Sequence, residues 1–258
     1  MTGPSSGVNE AISQAAKLIK KSHRTVVLTG AGISTPSGIP DFRSPGKGLW
    51  TRSDPMEVAS LTAFRHNPEQ FYAWFHPLAV QIYTAQPNPA HIALARLQAA
   101  GFITTIITQN IDGLHSRAGS ENVVEVHGTL STLTCTSCYQ QVLSDTVLDE
   151  YIDNCTVPHC PICGSVLKPD VILYEEQLPL KTWAKAEQAT RDCELMLVAG
   201  TSLEVMPSAR LPVDALDHGA HLVILNNATT FMDVRADVVI QGDVAETLPL
   251  IADQVINS

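Results

Sequence analysis

Thr25-Val26-Val27-Leu28-Thr29-Gly30-Ala31-Gly32-Ile33-Ser34 decides the fold of this chain. Its first five residues are a β-branched, apolar run without polar alternation, which predicts a strand buried on both faces. The run ends in a glycine turn and a helix start. In that arrangement backbone N–H groups point at a pyrophosphate, because glycine lets the backbone come close and a helix end carries partial positive charge. The site suits a dinucleotide. Its spacing is not that of hydride-transfer dehydrogenases, since Gly38 comes six residues after Gly32 rather than three. Nor does an acidic residue close a second strand about 20 residues on, where the ribose of NAD usually needs one.

Outward from this stretch the same kind of signal repeats. Residues 8–23 predict a helix, with Val8, Ile12, Ala15, Ala16 and Ile19 on one face. Further continuous apolar runs at 103–108, 195–199, 222–225 and 238–240 predict strands covered on both faces. Helical stretches at about 90–100, 182–191, 207–218 and 245–256 alternate with them, which predicts an α/β fold with a doubly wound, Rossmann-like parallel sheet. Two segments interrupt the alternation. Residues 45–90 are rich in aromatics (Trp50, Phe64, Phe71, Tyr72, Trp74, Phe75) and predict a helical insertion, and residues 129–168 hold clustered cysteines. The expected division is therefore a dinucleotide-binding domain of 1–44, 91–128 and 169–258, a helical insertion of 45–90 and a metal-binding module of 129–168. An acidic run, Asp145 to Asp153, reads as a solvated face.

Composition narrows the function classes. With 26 acidic and 16 basic residues the formal charge is −10, a sign that disfavours nucleic acid as a partner. No apolar run approaches the roughly 20 residues of a membrane helix, and the start lacks a secretory pattern, so a cytoplasmic protein with no membrane partner is expected. Five of six cysteines cluster, which in a reducing compartment reads as metal ligation. Cys135-x2-Cys138 and Cys160-x2-Cys163 are two knuckles separated by 21 residues, a strong zinc signal. Four thiolates close the shell and leave no place for substrate water, so one structural zinc is expected, holding a strand-poor module. Cys155 is an alternative third ligand, though Cys155-x4-Cys160 makes the poorer knuckle.

Other polar constellations fall at the ends of predicted strands. Gln109-Asn110-Ile111-Asp112 stands where open α/β sheets place ligands. Asp41-Phe42-Arg43 offers an acceptor, an apolar plate and a cation in three residues. His127 follows the short apolar run at 123–126, whereas His91 and His159 read as structural.

Gly30-Ala31-Gly32-Ile33-Ser34 running on to Gly38-Ile39-Pro40-Asp41-Phe42-Arg43 resembles the opening signature of the sirtuins, the NAD-dependent protein lysine deacylases. Gln109-Asn110-Ile111-Asp112 matches a sirtuin motif residue for residue, and His127-Gly128 falls where their general base sits. Gly200-Thr201-Ser202-Leu203 is similar to a motif that gives small hydroxyls to phosphate and ribose. Asn226, with Thr230 and Asp233, resembles the ribose-binding asparagine, and Gly242-Asp243-Val244 the loop whose backbone holds adenine. The motifs span about residues 10–255 in the family's order, in a short chain of bacterial or archaeal type. The resemblance implies NAD contacts from Gly30, Ala31, Gly32, Thr35, Asp41, Phe42, Arg43, Gln109, Asn110, Ile111, Asp112, His127, Gly200, Thr201, Ser202, Asn226 and Val244. It implies catalytic roles for His127 and Asn110, and an acyl-lysine tunnel lined by Ile172 and Tyr174.

The implied reaction removes acetyl groups from lysines of partner proteins. The amide oxygen attacks the ribose carbon as nicotinamide leaves, His127 deprotonates a ribose hydroxyl, and water releases lysine and O-acetyl-ADP-ribose. A mono-ADP-ribosyltransferase or a non-catalytic NAD sensor would use the same nucleotide site. Where the family usually has Phe-Gly-Glu this chain has Tyr174-Glu175-Glu176, which puts a side chain where the substrate backbone is expected. Sirtuins that remove succinyl or malonyl groups resemble one another in a Tyr-x-x-Arg pair. Here Tyr72 is followed by Phe75, so acetyl-lysine is expected ahead of succinyl-lysine.

Overall fold

The computed structural model describes residues 6–41 and 53–257, so Phe42, Arg43, Trp50 and Arg52 lie outside the described residues. The buried run at Thr25–Thr29 is strand β1, flanked by β2 (Thr105–Thr108) and, further out, β3 (Val123–Glu125). Strands β4 (Gly128–Cys135), β5 (Gln141–Leu143) and β6 (Leu167–Val171) make a second, three-stranded antiparallel sheet. On the other side of β1 stand β7 (Leu195–Ala199), β8 (His221–Asn226) and β9 (Val238–Gln241). The large sheet is all parallel with order β3-β2-β1-β7-β8-β9. Sequence direction across it reverses between β1 and β7, which opens a crevice beyond their carboxyl ends.

Strand alternation assigns each apolar side chain to one of two cores. Val27, Ile106, Leu197 and Val223 face α1 (Ser6–Lys21), α5 (Pro89–Ala99) and α10 (Val244–Ile256). Val26, Leu28, Val198 and Ile224 face α8 (Leu180–Asp192) and α9 (Leu211–Asp217). In α1 the stripe Ile12, Ala15, Ala16 and Ile19 is buried as its spacing predicts. Ile12 and Ile19 contribute about 1.5–3 kcal/mol each by leaving water. At the outer edge β9 alternates, with Val239 exposed, so it is covered on one face only.

The insertion folds as α2 (Pro55–Val58), α3 (Leu61–His66) and α4 (Pro68–Thr84), and α6 (Leu114–Arg117) follows the second strand. Phe64, Phe71, Tyr72 and Phe75 form an aromatic core shared with Tyr151 of α7 (Leu148–Asn154). Tyr72 donates its hydroxyl to Leu167 O at 2.6 Å and Tyr151 donates to Tyr72 O at 2.7 Å. The insertion and the cysteine module thus share one core. One expectation is corrected here. The module is not strand-poor, because three short strands with polar alternation escape a search for continuous apolar runs. The acidic run is a solvated face as expected, with Asp145, Asp149, Glu150 and Asp153 exposed, while α7 within it turns Tyr151 inward. Among the described residues no helix is long and apolar enough to cross a membrane.

Candidate active site

Gly30 follows β1, and the expected helix start takes the form of two 3-10 turns, Ala31–Ile33 and Thr35–Ser37. They lie against the loop after β7. A Cβ on Gly32 would lie 2.8 Å from Gly200 O, and one on Gly200, at φ 65, would lie 2.5 Å from Ile33 N. The two loops meet backbone to backbone, and only glycine permits that approach. The loop is also bolted to α5. Asn88, the N-cap, donates to Ile33 O at 2.8 Å and to Ser37 Oγ at 2.9 Å, while its own N–H is accepted by His91 Nδ1.

Within this frame the polar run at the end of β2 turns toward the glycine loop. Asn110 Nδ2 donates to Gly30 O and to Ser34 Oγ, both at 3.1 Å. Ser34 donates to Asp112 Oδ2 at 2.6 Å, and Asp112 Oδ1 accepts from Leu114 N at 2.9 Å. Gln109 Nε2 donates to Thr201 Oγ1 at 3.1 Å, while its Oε1 accepts from Ser208 at 3.2 Å. Asn110, Asp112, Thr201 and Gln109 are therefore brought together around Gly30.

His127 follows β3 and immediately precedes Gly128 of β4. Its Nδ1 lies 3.0 Å from Gln109 O. A carbonyl only accepts, so the ring proton sits on Nδ1 and the basic lone pair of the neutral ring is on Nε2. His127 O in turn accepts from Ile172 N at 2.8 Å. Val171 and Leu173 are buried, so the alternating Ile172 and Tyr174 lie on the opposite, accessible face.

Beneath the crevice lies a buried histidine pair: His91, which the sequence marks as structural, and His115, which it does not single out. His91 Nε2 is 3.5 Å from Ser34 Oγ, His115 Nε2 is 2.9 Å from Thr29 Oγ1, and the two rings meet edge to face at 4.9 Å. Burial drives the His91 pKa down to about 4, partly opposed by Asp112. Burial, with His91 adding to it, drives that of His115 down to about 3. Both rings are neutral at physiological pH. The signal for them was position alone: His91 is the third residue of a helix opened by Asn88-Pro89, and His115 follows the polar run.

The remaining expected contacts are spread along the strand ends. Thr35 donates to Gly32 O, Ala31 and Asp41 are half-buried, and Ser202 is exposed. Ile111 is half-buried against the aromatic core. Asn226 Nδ2 donates to Ala228 O at 2.8 Å, and Thr230 donates to Asp233 at 2.6 Å, forming one turn. The Val244 side chain is buried in the sheet core, which leaves only its backbone for a ligand. Asp243 beside it caps α10 through Ala245 N and Glu246 N.

The metal centre is compact. Sγ atoms of Cys135, Cys138, Cys160 and Cys163 lie within 4.8 Å of one another, with Cys135 to Cys163 at 3.4 Å and Cys138 to Cys160 at 3.7 Å. A tetrahedral zinc with Zn–S near 2.3 Å sets its sulfurs about 3.8 Å apart, so the donor set fits one zinc. Cys155 is exposed at the end of α7 and stands outside this group, which removes it as a ligand. The local core beneath is Leu133, Leu167 and the inner two thiols, with Val142 and Val147 packed against it. So small a core cannot hold the module alone, and the zinc is structural.

A reversed parallel sheet with a polar crevice at its switch point, beside a lobe clamped by four thiolates, defines an NAD-binding enzyme class. The chain matches the Sir2 family over residues 30–207. It is 41% identical over 249 residues, 96% of this chain and 97% of its relative, to the NAD-dependent protein deacylase 2 of Archaeoglobus fulgidus. A solved Sir2 enzyme structure, 40% identical, superimposes with a TM-score of 0.89 over 96% of this chain and 99% of that one. A second solved Sir2 protein, 36% identical with a TM-score of 0.87 over 94% and 98% of the two chains, was captured with a deacetylated p53 peptide and 3'-O-acetyl-ADP-ribose. This chain belongs to the Sir2 family, the sirtuins.

Proposed function

We propose that this sirtuin removes acetyl groups from lysine side chains of proteins, consuming NAD and yielding nicotinamide, O-acetyl-ADP-ribose and free lysine. The observation that carries the reading is the 3.0 Å contact of His127 Nδ1 with Gln109 O, which assigns the ring proton to Nδ1. It leaves the Nε2 lone pair as the base for a ribose hydroxyl. Asn110 is the second catalytic residue. Ser34 and Asp112 hold its carboxamide against Gly30 O, so it is oriented before the nicotinamide end of NAD arrives. The glycine loop, Thr201, Ser202, Asn226 and the backbone at Val244 hold the rest of the dinucleotide. Ile172 and Tyr174 line the acyl-lysine entrance. The zinc holds the lobe that carries one wall of this entrance and takes no part in the chemistry. Protein partners are acetylated polypeptides.

An acetyl-lysine peptide incubated with and without NAD tests the proposal. Loss of 42 Da per acetyl group (about that mass, as for any acetyl-to-hydrogen exchange) only in the presence of NAD is expected. ADP-ribose label retained on protein would instead make the chain an ADP-ribosyltransferase.

A further inference from the structure

The first turn of α3 is closed by the loop that leaves β6. Its amide groups are accounted for one by one: Leu61 N donates to Tyr174 O at 2.9 Å, Thr62 N to a Glu175 carboxylate oxygen at 2.9 Å, and Ala63 N to the N-cap Ser60 Oγ at 3.0 Å. Tyr174 N donates back to Ala59 O at 3.0 Å. Two of the three free donors of that turn are therefore satisfied by consecutive residues, Tyr174 and Glu175. Glu176 fixes the other side of the same loop, accepting from Leu173 N at 2.8 Å and pairing with Lys168 at 2.9 Å.

Glu175 stands at φ 74, in the left-handed region. A non-glycine residue costs about 1–2 kcal/mol there. The Thr62 hydroxyl and amide, with the positive Arg65 behind them, hold its carboxyl below the usual carboxylate range. The side chain is thus turned onto the helical insertion.

We infer that Glu175 is a positioning residue for the acyl-lysine peptide: it latches α3 of the helical insertion to the Ile172–Tyr174 segment and holds the tunnel entrance in its binding shape. The inference rests on the reading of Ile172 and Tyr174 as substrate-lining. Segment 172–175, four residues long, spans from the carbonyl of His127, bonded by Ile172 N, to the amide of Thr62, bonded by Glu175. Displacing its far end shifts the wall beside the base, while the NAD loops, tied through Asn88 and Thr201, are untouched.

Glu175→Gly removes the latch and at φ 74 adds no strain, so the variant folds. Glu175→Gln keeps an oxygen acceptor for Thr62 N. With saturating NAD, Glu175→Gly is expected to raise the peptide KM about three- to tenfold, the range of a lost charge-assisted hydrogen bond, with kcat and the KM for NAD within about twofold. Glu175→Gln restores most of the peptide KM. Amide hydrogen exchange at Thr62 accelerates in Glu175→Gly and stays slow in Glu175→Gln. An unchanged peptide KM with fast Thr62 exchange overturns the inference, as does a Gln variant as impaired as Gly, which would mean that the peptide reads the charge itself. If the parent chain removes no acetyl group, the functional reading falls, and slow Thr62 exchange in Glu175→Gly then overturns the latch independently.

Discussion

His127 Nδ1 donates to the carbonyl oxygen of Gln109 at 3.0 Å, and that single bond fixes which nitrogen of the ring is basic. Because the acceptor is backbone, no side-chain change at position 109 removes it. His127→Ala is expected to lower deacetylation by about 10² to 10⁴ while circular dichroism and zinc content stay those of the parent. Near-parental turnover of the folded variant would take the base away from His127.

The cysteine geometry separates four ligands from a bystander. Cys155→Ser leaves one zinc per chain, because Cys155 stands outside the cluster. Cys160→Ser removes a buried ligand and is expected to lose both metal and solubility. Metal analysis giving the reverse pattern would place Cys155 in the site.

Glycine substitutions distinguish close approach from mere backbone conformation. Gly200→Ala drives a Cβ to 2.5 Å from Ile33 N, whereas Gly38→Ala, at φ 87, meets nothing within 4 Å. Gly38→Ala should destabilise by about 1–2 kcal/mol, and Gly200→Ala by more than about 3 kcal/mol, with loss of NAD binding. Equal denaturation midpoints for the two variants would contradict the backbone contact.

Acyl selectivity follows from the aromatic core. Phe75 is buried and stacked on Phe71 at 5.6 Å, and the Tyr72 hydroxyl is committed to Leu167 O. The His76 ring is likewise committed, to Ile152 O at 2.9 Å. None of these meets an acidic acyl group with a cation, and a carboxylate buried without one loses several kcal/mol of hydration. Competing peptides should show acetyl-lysine ahead of succinyl-lysine by at least about tenfold in kcat/KM, about 1.4 kcal/mol. Parity would reveal a cation at the tunnel, such as Arg52 or Arg65.

The buried histidine pair predicts a pH effect. Folded-state pKa values of about 4 and about 3 lie below the unfolded value of 6.5, so below pH 6.5 the unfolded chain binds protons that the folded chain refuses. Stability is full above pH 6.5 and falls as pH drops toward 4. Each histidine accounts for up to about 1.4 kcal/mol per pH unit. His115→Gln should flatten the dependence of the denaturation midpoint between pH 6.5 and 4. An unchanged slope would mean that His115 takes up a proton in the folded state.

Much of this was legible in the chain. The central strands are continuous apolar runs, so 25–29 and 195–199 emerge with the bounds of β1 and β7. The run at 238–240 emerges as β9 too, but covered on one face rather than the expected two, while the small antiparallel sheet did not emerge, because its burial alternates and the signal is weak over three to eight residues. The crevice was legible as motifs but not as contacts. That Gly32 packs on Gly200, that Asn88 bolts α5 to the glycine loop, and that Glu175 reaches Thr62 are pairings across long stretches of sequence, set by tertiary packing that no local pattern encodes.

The most direct test of the account is stoichiometry. With an acetyl-lysine peptide and NAD, mass spectrometry should find deacetylated peptide, nicotinamide and O-acetyl-ADP-ribose appearing in equal amounts. Free acetate with no O-acetyl-ADP-ribose formed at any time, or deacetylation that proceeds without NAD, would contradict it.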